Sequence, residues 1–127
     1  QFGLWVAFDG TTGAVGSGDV SCARGFNPSP GTNDCPESGA VYLFSRTTTS
    51  WAQRAFVKAS NTETGDRFGT SGLAIAGNTL AVGATNEDSC ATGINGNQND
   101  NSCGPNPSPH FPQAPYGSGA GYVYGLQ

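Results

Sequence analysis

The sequence predicts an all-β protein made of four-stranded antiparallel meanders, and three observations carry that expectation. Apolar residues come in runs of four to six, rich in β-branched and aromatic types, without a sustained 3.6-residue period. Turn-forming pairs such as Asp9-Gly10 and Gly77-Asn78 separate those runs. The chain also repeats itself: Phe2-Gly3 returns as Phe68-Gly69, and the strings that follow stay in register with small gaps.

Each element of the repeat can be read in order. "DGTTGAVG" at 9–16 aligns with "AGNTLAVG" at 76–83, so each copy opens with a tight hairpin around "VAF" and "GAV", or "LAIA" and "TLAV". "VSCARGFN" at 20–27 aligns with "DSCATGIN" at 88–95 and starts a long loop. "SGAVYLF" at 38–44 aligns with "SGAGYVY" at 118–124 and supplies a third strand around Val41 to Phe44. A polar turn, "RTTTS", leads to a fourth strand from about Trp51 to Lys58. On the third strand Ala40, Tyr42 and Phe44 lie on one face and Val41 and Leu43 on the other, so a sheet covered on both faces is expected. The division falls into a first repeat over 1–66 and a second over 67–127. The second ends at "GYVYGLQ" without a counterpart of "WAQRAFVKAS", an incomplete unit whose open edge calls for a strand from a longer chain or from a neighbour.

Composition narrows the function. With 35% hydrophobic residues and 20 glycines in 127 positions, the core is thin. Only 11% of residues are charged and the net charge is −4, so no basic stripe follows a phosphate backbone and nucleic acid is not an expected partner. The longest apolar run is about the length of "AVYLF", far short of the roughly 20 residues of a spanning helix, and no membrane insertion is expected. The opening "QFGLWVAF" carries neither a methionine nor a signal segment, as in a processed or excised piece. Four cysteines, no methionine and few lysines suit an oxidising exterior, hence an extracellular or cell-surface location.

Four-stranded sheets stacked face to face from a repeated unit are the anatomy of a propeller blade or a related β array. The chain resembles the FG-GAP repeat of integrin-type propellers in Phe2-Gly3 and Phe68-Gly69 ahead of the first strand and in "AVGS" and "AVGAT" closing the second. It is closer to the bacterial FG-GAP proteins, whose units carry strings similar to "ASNTETGDRFG", "NTLAVGA", "EDSCATGINGNQNDN" and "SGAVYLF". The resemblance implies β-propeller blades of extracellular type, about two repeats with the last blade incomplete, used for adhesion or as a scaffold rather than for a reaction.

Cys22 and Cys35 are separated by the same 13 positions as Cys90 and Cys103, which selects a pairing within each loop among the three connectivities. No C-x2-C spacing favours zinc or a redox pair. "NPSP" occurs at 27–30 and 106–109, semi-rigid surface read as a spacer or as a recognition loop. In the oxygen-rich run after Glu87, the residues Asp88, Asn95, Asn97, Asn99 and Asp100 are hard ligands of the kind calcium takes. The alternative is a turn-forming Asx-rich loop. The acidic run that calcium-binding FG-GAP repeats carry between their FG and GA elements is replaced here by "AIAGNT", and no other cofactor is expected.

His110, the only histidine, sits in a proline-rich segment without an orienting acid, so no catalytic set is expected. Trp5, Trp51, Phe44 and Phe56 read as core or inter-blade packing, with a sugar-binding platform as the alternative. Asp66 and Arg67 read as a polar rim at the blade junction. The leading expectation is a non-enzymatic structural or adhesive module, self-associating or completed by neighbouring blades. Its rivals are a propeller gripping a protein or glycan ligand, and an accessory domain of an extracellular enzyme.

Overall fold

The computed structural model describes residues 1–29, 31–101 and 117–126. Within them the chain is all-β, with seven strands: β1 (Phe2–Phe8), β2 (Thr12–Ser17), β3 (Ala40–Arg46), β4 (Trp51–Val57), β5 (Phe68–Ala76), β6 (Thr79–Ala84) and β7 (Ala120–Gly125). They form two antiparallel sheets, β1-β2-β3-β4 and β5-β6-β7, each a plain meander. Among the described residues the two sheets make a stacked pair and do not close a ring.

Local chemistry sets the hairpins. Asp9 closes the first by accepting the N–H groups of Thr11 and Thr12 at 2.9 and 2.8 Å, while Gly10 takes φ +105°. Those bonds hold the Asp9 carboxyl below its usual range. In the second hairpin Gly77 turns the chain at φ +54°. Both first strands are bulged, β1 between Phe2 and Trp5 and β5 between Phe68 and Leu73.

Alternation along the strands then sorts side chains onto faces. Ala14 on β2, Val41 and Leu43 on β3, and Ala55 and Val57 on β4 point toward the second sheet. From that sheet come Phe68, Leu73, Ile75, Leu80, Val82, Tyr122 and Tyr124. The joint is thus asymmetric, with small and β-branched residues on one side and larger ones on the other. Phe68 is wholly buried, its ring 5.3 Å from that of Tyr122. At the closest approach Gly16 faces Gly69, where a Cβ on either residue would collide with the opposite chain.

The opposite face of the first sheet departs from expectation. It carries Phe2, Val6, Phe8, Val15, Tyr42, Phe44, Phe56 and Trp51, yet Phe2, Val6, Phe8 and Trp51 are exposed. Trp51 stacks on Phe8 at 5.5 Å over Gly13 instead of entering the core. Trp5, expected to be packed, is likewise exposed.

The segment joining the sheets is the other surprise. Arg67 behaves as a rim residue, exposed and paired with Glu37 at 2.8 Å. Asp66 does not: it is buried, and burial raises its pKa to about 6, against the opposing N–H of Glu63 and with added repulsion from Glu87 and Glu63.

Candidate functional site: the open edge of the second sheet

The site is best built by following one loop through both repeats. After β2, residues 18–39 leave the sheet and come back to it. Gly25 accepts from Lys58 N–H at 2.9 Å and donates to Ala59 O at 3.2 Å. Asn27 donates its N–H to Phe56 O at 2.7 Å, and its Oδ1 accepts from Phe56 N–H at 2.8 Å. Residues 25–27 therefore clamp the outer edge of β4 and satisfy backbone groups that an edge strand would leave open. Two left-handed residues shape this arm, Gly25 at φ +87° and Asn27 at φ +46°.

The same arm is present in the second repeat. Gly93 has φ +74° and Asn95 φ +56°. Three of its supporting bonds recur. Cys90 N–H donates to Asp100 O as Cys22 N–H donates to Thr32 O, and Ser118 Oγ donates to Ser89 O as Ser38 Oγ donates to Ser21 O. Gly119 N–H donates to Glu87 O, as Gly39 N–H does to Asp19 O. Between this arm and β7, however, no described strand runs. A cleft of about 590 Å³ lies there, lined by residues 119–124 on one side and by Gly93, Ile94 and Asn95 on the other. Ile94, the counterpart of Phe26, is 95% exposed.

A buried polar hub fixes the floor of the cleft. Glu87 accepts from Asn61 Nδ2 at 2.8 Å and from the N–H and Oγ of Ser89 at 3.1 and 3.0 Å. Tyr122 donates its hydroxyl to Asn61 Oδ1 at 2.5 Å, and Tyr124 donates to Lys58 O at 3.0 Å. Burial pushes both phenols up, Tyr124 to about 12. The first repeat has a parallel hub. Lys58 is fully buried and donates to Gly39 O at 2.6 Å and Ser38 Oγ at 2.8 Å, with Asp19 at 3.5 Å. Burial lowers the Lys58 pKa, and the nearby Asp19 carboxylate opposes that shift. All these donors and acceptors are matched, so the hubs read as rigid scaffolding for the loops.

The cysteine expectation is met in the first repeat: Cys22 is bonded to Cys35, with Cα atoms 5.2 Å apart. Cys90 is also disulfide-bonded; Cys103 lies outside the described residues. His110 and the second "NPSP" also lie outside them.

The proposed calcium ligands are spread along a turn. Asp88 is half-buried, while Asn95, Asn97, Asn99 and Asp100 are exposed. Asn97 Oδ1 accepts from Asn99 N–H at 3.2 Å, an Asx turn that occupies one of the proposed donors. Among the described residues no three His, Cys, Asp or Glu side chains converge on a common point. The hairpin turn at Gly77-Asn78 carries no acid, so the calcium site that the resemblance implies there has no carboxylate to build on.

Comparison with known proteins supplies the family. The family profile of the FG-GAP repeat matches residues 51–101, from the start of β4 through β5 and β6 into the loop behind the cleft. Over those residues the chain is similar to an FG-GAP repeat. Searches of curated proteins and of solved structures return no match. FG-GAP repeats are typical of extracellular or surface proteins and are generally non-enzymatic binding modules. Among the described residues no helix is long and apolar enough to cross a membrane.

The loop arm is what sequence reading missed. Its signal was present in "ARGFN" and "ATGIN", which place glycine and asparagine two apart at the same offset from the cysteine. Read only as a loop, that pair hides its role as a strand clamp.

Proposed function

We propose that this protein is a non-enzymatic structural or adhesive module that works outside the cell and assembles with copies of itself, its second sheet completed by a strand from a neighbour. The observation that carries this reading is the clamp formed by Gly93 and Asn95 facing β7 across a cleft in which no described strand runs. In the first repeat the equivalent clamp holds β4 through main-chain bonds on the edge away from β3. A strand added at β7 gains main-chain hydrogen bonds on both sides, the mode by which strand donation links subunits. The extracellular placement is supported by the Cys22–Cys35 disulfide, which persists in oxidising surroundings.

Electron microscopy of native material tests the assembly. Extended fibres are the expected result. Closed rings would assign the repeats to one propeller and overturn the filament reading, and dispersed monomers would overturn self-assembly altogether. A synthetic peptide with the sequence of residues 51–60 tests the cleft directly. It should bind the protein and protect the amides of β7 from hydrogen exchange, and absence of protection would exclude strand completion there.

A further inference from the structure

We infer that copies of this chain stack head to tail through their outer sheet faces, the small-residue face of β5-β6-β7 in one copy seating on the aromatic face of β1-β2-β3-β4 in the next. The argument starts from the joint already inside the molecule. There the small face of the first sheet, with Ala14, Gly16 and Val41, receives the large face of the second, with Phe68, Leu73, Val82 and Tyr122.

Each outer face is the repeat-equivalent of one half of that joint. On the first sheet, Phe2 and Tyr42 stand where Phe68 and Tyr122 stand on the second, with the same ring separation of 5.3 Å. One pair is buried in the joint. In the other, Phe2 is 61% exposed. On the second sheet, Ala81, Gly83 and Val123 occupy the positions of Ala14, Gly16 and Leu43. Leu43 is wholly buried, whereas Val123 is 74% exposed.

The backbone contact point is duplicated as well. Gly16 presses on Gly69, which holds φ +73°. Their counterparts are Gly83 and Gly3, and Gly3 keeps φ +83° although no heavy atom lies within 4 Å of where its Cβ would be. A Cβ on Gly83 would meet nothing nearer than Gly72 O at 3.8 Å. Both halves of the contact are thus shaped and unused. The two faces do not repel by charge: β1, β2, β5, β6 and β7 contain no Lys, Arg, Asp or Glu, and the charged residues of the other two strands are Arg46 on β3, opposite Trp51 at the border of the aromatic face, and Arg54 on β4, both of one sign. The small-residue face is thus without the charged residues that usually block association, and on the aromatic face they are confined to the β3-β4 end.

The joint so formed is heterologous, because the two surfaces differ, and repeating it generates a ring or an open helix according to its rotation. Its occupant is a second copy of this chain, as in the reading above. It uses the sheet faces, however, and not the cleft at β7.

The test uses the whole chain. Gly83→Ala and Val123→Lys block the small face, and Phe8→Lys blocks the aromatic face, all at positions open to solvent or to empty space in the monomer. Sedimentation should show each variant folded by circular dichroism, with the concentration for half-association raised at least tenfold over the unsubstituted chain. With the cleft at β7 filled by the 51–60 peptide, mixing Val123→Lys with Phe8→Lys should give a one-to-one dimer that grows no further, since one sound pair of faces remains. Assembly unchanged in the folded variants, or no dimer from the mixture, overturns the proposal. The 51–60 peptide separates this from strand completion. Protection of β7 by the peptide in Val123→Lys leaves the cleft reading standing whichever way the face test falls.

Discussion

Gly16 and Gly69 meet backbone to backbone, so that a Cβ on Gly16 would run into the carbonyl oxygen of Gly69. Nothing in a packed sheet can yield to that. Gly16→Ala should therefore force the two sheets apart and lower the unfolding free energy by about 3 kcal/mol, as overpacked cores do. Gly83→Ala, at the equivalent open position, should change it by less than about 0.5 kcal/mol. Denaturant unfolding of both variants, at concentrations where the chain is monomeric, makes the comparison.

Breaking the Cys22–Cys35 bond should cost about 2–4 kcal/mol, because it frees the loop of 13 positions whose closure it enforces. The effect has a location. Hydrogen exchange at the amides of Phe56 and Lys58, both held by residues 25–27, should accelerate more than at Leu43 in the sheet centre.

Asn27→Gly keeps the left-handed backbone at φ +46° but removes the side-chain acceptor of Phe56 N–H. A loss of about 1 kcal/mol is expected, the net worth of one hydrogen bond. Asn95→Gly, in the unfilled clamp, should leave thermal stability unchanged and weaken capture of the 51–60 peptide about fivefold or more, read by titration.

Asp66 gives stability a pH dependence of defined sign. Its pKa is near 6 in the folded chain against 3.8 for the free side chain, so the native state holds the proton more tightly. Its contribution is fully present below about pH 4 and is lost as pH rises through 6, a change on the order of 2 kcal/mol. Asp66→Asn should flatten the stability profile between pH 4 and 7, and a profile as steep as that of the unsubstituted chain would assign the dependence to other groups.

Much of this architecture was legible from the residues. The hairpins at Asp9-Gly10 and Gly77-Asn78, the third strand and the fourth from Trp51 all follow from local patterning, which turn chemistry and period-two alternation set within a few residues. What escaped were features that depend on which sheet face meets another. Trp5 and Trp51 look like core by composition but are exposed, and Asp66 looks like rim but is buried at the joint. Hydropathy reports how a side chain behaves in water and not which neighbour the topology brings to it. The clamp at residues 25–27 was hidden for a related reason, since its bonds are to backbone 29 or more positions away.

The FG-GAP match begins at β4, in one sheet, and ends beyond β6, in the other. The unit of sequence and the unit of architecture are therefore out of phase by one strand. Gaining or losing one such unit inserts or removes a crossing between layers, carrying Asn61, Asp66 and Phe68 with it. A chain composed this way lengthens by adding seams, and every unfinished border it exposes has the form of a seam that it already knows how to close.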